Sequence, residues 1–311
     1  MSRSFPAFRS VFSALLLIAL WAGGLVPGCA STPDPTTASQ ATPAPQEKPL
    51  FLWKVESDSA TVHVLGSVHV GSPELYPLDP RIEAAFAGSD VLVLEIDMDD
   101  EAMADAAVRM TQVALLPKGE NLDDHLNEAT RKLLHEKLDL LQINPAQIQM
   151  FKPWFAAMMI TMREIEAAGF DGELGIEQHF LKRAQGTKEL SSLESISDQI
   201  TALEAYTEGT AAESLRQALE MDSAAYFRSM LTAWRLGDSR QLDLMLDEAR
   251  KYPESYAVMF TNRNIGMANK IEGYLNQNKT FFVVAGAGHM VGKDSVVDLL
   301  QKRGHKLVQA R

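Results

Sequence analysis

The sequence is poor in cysteine and in positive charge. Its 311 residues contain a single cysteine, Cys29, so the chain cannot form an internal disulfide or a thiolate cluster, and any bound metal must rest on His, Asp and Glu. Lys and Arg number 29 against 41 Asp and Glu, and this net charge of −12 disfavours a nucleic-acid partner because an acidic surface repels phosphate. The composition, with 46% hydrophobic residues, is typical of a water-soluble globular protein and excludes collagen-like, wholly disordered and multi-span membrane classes.

Several common catalytic signatures are also missing. The chain has no G-x-S-x-G elbow, no Walker phosphate loop and no H-E-x-x-H motif. These absences disfavour a serine hydrolase, a phosphate-loop enzyme and a zincin. The chemistry must therefore be sought in other side chains.

The first segment has the pattern of an export signal. Two arginines and no acid precede a short apolar run that ends at Trp21, and small residues then lead to Cys29. The four residues that end at Cys29 resemble a bacterial lipobox, in which the cysteine is lipidated, although Pro27 replaces the small or branched residue usual there. We predict a signal peptide over residues 1–28 and lipidation of Cys29. Secretory cleavage near Ala30 and an uncleaved anchor are the alternatives.

Residues 29–49 are predicted to form a tether. After the cysteine they include five prolines and no aromatic or large aliphatic residue, so they cannot bury enough apolar surface to fold. When stretched, about 20 residues reach on the order of 65 Å, which would hold the folded part, residues 50–311, away from a membrane. Ala30 and Ser31 lack the acidic residue that resembles an inner-membrane retention signal. The predicted address is therefore the outer membrane, facing the periplasm.

Strand patterns lie at both ends of the folded part. Residues 51–56 and 61–67 alternate apolar with polar positions and predict a β-hairpin, and residues 91–95 form an apolar run typical of a strand buried on both faces. Residues 280–285 form a second such run, and residues 306–309 predict a last strand. The two ends must then meet in one sheet. We predict an α/β fold with a central mixed sheet built from the N- and C-terminal segments and a large helical insertion.

The insertion, residues 99–273, is mostly helical by its apolar period. A methionine-rich stripe that includes Met158 and Met162 could line a cofactor pocket, but core packing between helices is the favoured interpretation. A strand is expected at 188–193. The predicted helices cover residues 80–87 with Asp79 as cap, 129–141, 155–168, 211–236, 239–250, 256–275 and, after the insertion, 293–303.

A glycine-histidine pattern follows two of the predicted core strands. Gly66-x-x-His69 follows the strand at 61–67, and Gly286-x-x-His289 follows the strand at 280–285. Glycine permits a tight turn where a strand ends, and it places each histidine at the exit edge of the sheet. One such tetrapeptide is a weak signal. Two copies at equivalent positions indicate that the two loops converge.

Glu95 closes the buried run at 91–95. A buried carboxylate is unfavourable unless it is paired, solvated or metal-bound, and ligands of α/β sheets collect at the carboxyl ends of strands. If the three strands are neighbours, His69, Glu95 and His289 form a two-histidine, one-carboxylate set that could hold a divalent metal and activate water. Glu95 could alternatively serve as the base for that water. The alternative is that these are polar residues with ordinary hydrogen bonds.

Other candidates carry weaker signals. Glu177 opens a predicted helix and is a candidate catalytic residue, although the helix dipole alone could favour a carboxylate there. Arg263 could bind a substrate carboxylate or an oxyanion, although a solvated arginine or an internal ion pair is the default interpretation. Four other histidines are interpreted as structural or exposed: His63, His125, His135 and His305.

Six motifs, which occur in the same order as in the family, resemble the TraB/GumN family, which also includes PrgY-like and animal Tiki proteins. The resemblance covers about residues 50–311. The motifs are the paired Gly66-x-x-His69 and Gly286-x-x-His289, Val93-Leu94-Glu95, Lys152-Pro153-Trp154, Gly175-Ile176-Glu177-Gln178-His179-Phe180, Leu193-Glu194-Ser195 and Arg263-Asn264-x-x-Met267-Ala268.

The resemblance implies a fold similar to ChaN and erythromycin-esterase-like proteins. For Tiki-like members it also implies metal-dependent peptidase activity at the two histidines and the strand-end glutamate, here His69, His289 and Glu95, with Arg263 as an assisting group. Glu177 stands where relatives often have aspartate, and its longer side chain leaves its role open. Fold and site geometry transfer between relatives better than substrate does.

The sequence predicts a lipid-anchored, metal-dependent hydrolase that acts on a peptide or another amide or ester. In this hypothesis His69, Glu95 and His289 hold one divalent ion (manganese, cobalt or zinc), while Arg263 stabilises an oxyanion. A second hypothesis is an envelope protein that sequesters a peptide, haem or another small ligand without turnover. A third is a metal-free esterase in which one histidine acts as general base.

Overall fold

The computed structural model describes residues 48–97, 100–208 and 211–311. The predicted signal peptide, Cys29 and all of the predicted tether except its last two residues lie outside these ranges. Among the helices of the described ranges, none is long and apolar enough to cross a membrane. The domain limits drawn from the sequence therefore stay predictions.

An antiparallel hairpin begins the described fold, as the alternation of apolar and polar residues predicted. Strand β1 (Leu52–Glu56) pairs with β2 (Thr61–Ser67). Ser57 closes the turn between them, since its N–H donates to the Ala60 carbonyl at 2.9 Å and its hydroxyl accepts the Ala60 N–H at 3.0 Å. Such local side-chain bonds are typical of serine in turns.

Six strands form one mixed sheet. The remaining strands are β3 (Val91–Ile96), β4 (Glu189–Glu194), β5 (Thr280–Gly286) and β6 (Leu307–Gln309). Their order is β4-β3-β5-β2-β1-β6, in which β1 is antiparallel to both of its neighbours and the other pairs are parallel. The two ends of the chain thus lie side by side, and the predicted α/β class with a sheet built from both ends is confirmed.

The central strands are buried on both faces. All residues of β3 are buried, as the continuous apolar run predicted, and such burial is typical of strands in a largely parallel sheet. Helix α1 (Pro80–Ala87) leads into β3 and has the predicted bounds. It begins where the Asp79 side chain accepts the Arg81 N–H at 3.0 Å, with proline in its first turn.

The insertion between β3 and β5 is helical apart from β4. Its helices are α2 (Asp100–Ala114), α3 (Glu128–Leu140), α4 (Pro153–Ala167), α5 (Ile176–Ala184), α6 (Ile196–Glu208), α7 (Ala211–Glu220), α8 (Ser223–Leu236), α9 (Ser239–Met245), α10 (Asp247–Arg250), α11 (Pro253–Tyr256) and α12 (Asn262–Tyr274), and α13 (Val296–Lys302) follows β5. A large apolar core covers the sheet, and a smaller one lies between α3, α4 and α7. Met158 and Met162 lie in the large core, so the methionine stripe packs between helices.

Two predicted helices are divided in the structure. The helix predicted at 211–236 stops before Asp222, whose side chain accepts the Ala225 N–H at 2.8 Å and caps a new helix. The helix predicted at 239–250 breaks at Leu246, which separates α9 from α10. The apolar period continues through both breaks, so periodicity alone could not locate them.

Two further predicted helices differ near their beginnings. Within the helix predicted at 256–275, residues Ala257–Thr261 form a π-helix before α12 begins. The helix predicted at 293–303 starts only at α13, because Asp294 has a left-handed φ of 61° and the Ser295 side chain caps the first turn. Both departures lie close to the residues that the sequence singled out for chemistry.

Candidate active site

The two glycine-histidine loops leave the sheet side by side. Strands β2 and β5 are parallel neighbours with Ser67 opposite Gly286, so both loops start at the same edge. His69 and His289 are 6% and 1% exposed, which places both imidazoles inside the protein. Segments from opposite ends of the folded part therefore meet, as the paired motifs predicted.

Glu95 projects into the same region from the next strand, β3. Its Oε2 atom accepts the Gly286 N–H at 2.9 Å, and its Oε1 atom lies 3.9 Å from Nε2 of His289. A Cβ atom added to Gly286 would lie 2.9 Å from Nε2 of His69 and 3.6 Å from Oε2 of Glu95. Glycine is therefore required for these side chains to approach the loop backbone, and His69, Glu95 and His289 lie together.

An arginine and an amide hold the Glu95 carboxylate. Arg263 from α12 donates from Nη2 to Oε1 of Glu95 at 2.5 Å, and Gln199 from α6 donates to the same oxygen at 2.8 Å. The Nε–H of Arg263 is shared between the two oxygens of Glu194, at 3.1 and 3.0 Å. The guanidinium thus joins carboxylates from the ends of two adjacent strands. These contacts offset the cost of burying the charges.

The charge states of this cluster follow from burial and from its neighbours. Burial alone would raise the pKa of Glu95, but Arg263, the two imidazoles and the Gly286 N–H lower it to about 2. Burial and Arg263 lower the pKa of His289 to about 3, against the opposing effect of Glu95. At neutral pH, Glu95 is therefore ionised, while His289 is neutral and has a lone pair on one ring nitrogen.

Glu177 contacts His69 from the first turn of α5. Its Oε1 atom lies 2.7 Å from Nδ1 of His69, without the alignment of a full hydrogen bond, and it accepts the hydroxyl hydrogen of Ser67. Burial lowers the pKa of His69, but the carboxylates of Glu177 and Glu95 outweigh it, and the pKa is raised. The predicted catalytic residue Glu177 therefore lies where it orients the His69 ring and turns Nε2 toward Gly286.

A small cavity lies against both imidazoles. Its volume is about 20 Å³, which is enough for one water-sized occupant. The loop residues that carry His69 and His289 form one wall. The rest of the lining is apolar and comes from α8, α9 and the residue after α9; this apolar cover consists of Met230, Leu242, Met245 and Leu246.

An open groove borders the same cluster. It has a volume of about 570 Å³ and lies between the end of β4, α6 and α12. Arg263 and Glu194 line the groove, and Arg263 also binds Glu95 beside His289. Ser195 and Lys270 are among the polar residues that also line it. The guanidinium therefore connects the surface groove with the buried histidines.

The two histidines suit a divalent ion better than Glu95 does. Nε2 of His289 is buried without a hydrogen-bond partner, and the cavity beside it has room for one ion. Both oxygens of Glu95 already accept hydrogen bonds, and within the described ranges no three His, Cys, Asp or Glu side chains are arranged as a metal-binding group. An ion here would rest on the two imidazoles. The sequence prediction that Glu95 is a third ligand stays a prediction, since its Oε2 atom accepts only the Gly286 N–H and a carboxylate oxygen has two lone pairs.

Three side chains of this cluster were missed as functional candidates. Glu194 ends β4 next to the end of β3, a position that strand-end reasoning could have identified. Asn264, whose Oδ1 lies 2.6 Å from Nδ1 of His289, directly follows the predicted Arg263. Gln199 lies on a helix without any distinctive pattern, and no sequence signal pointed to it.

Four other histidines lie outside this cluster. His125, His135 and His305 each contact a carboxylate near the surface, at 2.8, 3.0 and 2.8 Å. His63 lies in β2, where it is opposite Lys54 of β1. The structure places none of these four next to the two histidine loops.

Comparisons with known proteins agree with the resemblance seen in the motifs. YbaP from Escherichia coli K12, an uncharacterized protein, is 24% identical over 242 residues, which cover 77% of this chain and 87% of YbaP. An uncharacterized protein from Treponema pallidum is 24% identical over 273 residues, which cover 82% of this chain and 81% of that protein. Metalloprotease TIKI1 from Danio rerio is 22% identical over 317 residues, and the aligned region covers 83% of this chain but only 62% of TIKI1.

Solved structures add no relative, since none matches the chain significantly. The TraB/PrgY/gumN family matches residues 51–309, a range that runs from the start of the sheet at β1 to the end of β6. The match includes both histidine loops, Glu95 and Arg263. The chain therefore belongs to the TraB/PrgY/gumN family.

Proposed function

We propose that this protein is a metal-dependent hydrolase that cleaves an amide or ester bond, with peptides as its substrate class. The observation that carries the proposal is the meeting of His69 and His289 beside the ionised Glu95 in a buried cavity. The similarity to a protein named a metalloprotease supports it at 22% identity. We also propose that a lipid on Cys29 anchors the protein to the outer membrane, facing the periplasm.

The two imidazoles would hold the ion through their Nε2 atoms. Manganese, cobalt and zinc all accept imidazole ligands. A bound divalent ion supplies a Lewis acid and lowers the pKa of water. The chain contributes the orientation of both rings, since Glu177 contacts Nδ1 of His69 and Asn264 contacts Nδ1 of His289. The apolar cover keeps bulk water away, which strengthens electrostatic interactions inside the site.

Glu95 and Arg263 act as a pair in the proposed reaction. The water oxygen bonds to the scissile carbonyl carbon while Glu95 takes up one proton of that water, and this proton then passes to the leaving nitrogen as the C–N bond breaks. Arg263 keeps the pKa of Glu95 low in the resting state. When Arg263 donates to the developing oxyanion instead, the carboxylate loses this partner and becomes a stronger base.

The open groove provides the route for a substrate. Glu194 and Arg263 line it, so a chain bound along the groove would pass next to the guanidinium. The histidine cavity itself has room for only one water-sized occupant. We therefore propose that the scissile bond enters from the groove and that Arg263 is the first residue of the cluster to contact it.

Peptide cleavage by the full chain tests the proposal. Pooled peptides are incubated with the protein and with manganese, cobalt or zinc, and the products are identified by mass spectrometry. Cleavage should require added ion, stop with EDTA and disappear in His69→Ala and Glu95→Gln, while the surface variant His135→Ala stays active. Cleavage that resists EDTA would favour the metal-free esterase. Intact peptides that stay bound would favour the sequestering protein.

A further inference from the structure

A buried asparagine connects His289 to the start of α13. Asn264 is 2% exposed, and its Oδ1 atom lies 2.6 Å from Nδ1 of His289. Its Nδ2 atom donates to the backbone carbonyl of Asp294 at 2.9 Å. His289 and Asp294 belong to the same loop, so Asn264 bridges the two ends of that loop from α12.

The Asp294 carbonyl fixes which way the amide faces. If the amide were turned over, its oxygen would face the Asp294 carbonyl and two acceptors would meet without a hydrogen. Asp294 itself is held in its left-handed conformation, since its N–H donates to the Asp298 side chain at 2.7 Å and its own side chain accepts from Lys302 at 3.0 Å. The amide oxygen of Asn264 must therefore face His289.

This orientation determines the tautomer of the histidine. An amide oxygen can only accept a hydrogen bond, so Nδ1 of His289 must carry the ring hydrogen and Nε2 must carry the lone pair. Nε2 has no hydrogen-bond partner and belongs to a side chain that lines the cavity. We infer that Asn264 is a positioning residue that locks His289 in the Nδ1–H tautomer and so aims a metal-binding lone pair into the cavity.

The effect on ion binding rests on the proposed function, whereas the tautomer does not. Partners that orient a ligating histidine typically change metal affinity by about 10-fold to 100-fold when they are removed. Loss of Asn264 should therefore weaken ion binding to that extent. It should also let the ring take up the Nε2–H form, which directs a hydrogen instead of a lone pair into the cavity.

Nitrogen NMR of the metal-free full chain tests this inference. The protein is labelled with ¹⁵N in its seven histidines, kept in EDTA at pH 7.5, and examined by long-range ¹H–¹⁵N correlation, with His289 assigned through His289→Gln. The wild type should show a protonated Nδ1 and a bare Nε2. Asn264→Leu should lose this signature and bind zinc at least 10-fold more weakly. Asn264→Asp, which keeps an acceptor oxygen, should retain the signature.

A matched control and separate outcomes complete the test. Asn269→Leu makes the same change at an exposed position of α12 and should alter neither readout. An Nε2–H tautomer in the wild type overturns the inference, and so does an unchanged tautomer in Asn264→Leu. If Asn264→Leu does not fold, the wild-type spectrum alone decides. If His289 has the expected tautomer but no ion binds, the proposed function fails and the positioning role stands.

Discussion

Glu95 should make the stability of the fold depend on acidic pH. Its pKa falls from 4.5 to about 2 in the folded chain. The unfolded carboxyl therefore binds a proton at a higher pH than the folded one, so its stabilising contribution is complete above pH 4.5 and is lost as pH falls toward 2. This difference of about 2.5 in the pKa of Glu95 corresponds to about 3 kcal/mol of unfolding free energy, at about 1.36 kcal/mol per pH unit.

Urea unfolding of wild type and Glu95→Gln measures this contribution. Both proteins are unfolded in EDTA between pH 6 and pH 2.5 and followed by circular dichroism. The wild type should be more stable at pH 6, and the difference in unfolding free energy should shrink by about 2 to 3 kcal/mol by pH 2.5. A difference that stays constant over this range would refute the assigned charge state of Glu95.

The partner carboxylate of Arg263 offers a control of opposite sign. Burial raises the pKa of Glu194, and nearby Glu95 adds to this effect against the attraction of Arg263. The folded chain therefore binds the Glu194 proton at a higher pH than the unfolded chain does, and ionisation of this group costs stability as pH rises through the folded pKa. Relative to Glu194→Gln, the wild type should gain stability on acidification.

Three further predictions concern the loop, the histidine partner and the anchor. Gly286→Ala should weaken ion binding at least 10-fold by calorimetry and lower the unfolding free energy by about 1 to 3 kcal/mol, because the added Cβ would lie 2.9 Å from the His69 ring. Gly266→Ala, which has open space on α12, should reduce neither ion binding nor stability in thermal unfolding. Glu177→Gln should lower the pKa of His69 and weaken ion binding about 10-fold to 100-fold by calorimetry, and unchanged binding would contradict its positioning role. Cys29→Ser should abolish fatty-acid labelling in cells and move the protein to the soluble fraction; labelling that persists would rule out Cys29 as the lipid site.

Sequence reasoning predicted the parts of the site that depend on strand ends. The apolar runs identified β3 and β5, and the glycines after β2 and β5 marked the loops that carry His69 and His289. Parallel neighbours exit at the same edge of a sheet, so the histidines and Glu95 could be predicted to meet without knowledge of the packing.

The contacts that determine the chemistry of the site could not be predicted from the sequence. Arg263 and Glu95 are 168 residues apart, and nothing local to either shows that α12 places one against the other. The break at Asp222 was hidden because the apolar period continues through it. The apolar cover depends on how α8 and α9 pack over the loops, and helical periodicity shows only that each has a buried face.

The stoichiometry of bound metal decides whether His69 and His289 form an ion site. The full chain is purified without chelators or metal-affinity resin, equilibrated with manganese, cobalt or zinc, and analysed by elemental mass spectrometry beside His69→Ala, His289→Ala and the surface control His305→Ala. The prediction is one ion for each wild-type and control chain and none in the two loop variants. A wild type that binds no ion, or a His289→Ala variant that keeps a full ion, would contradict it.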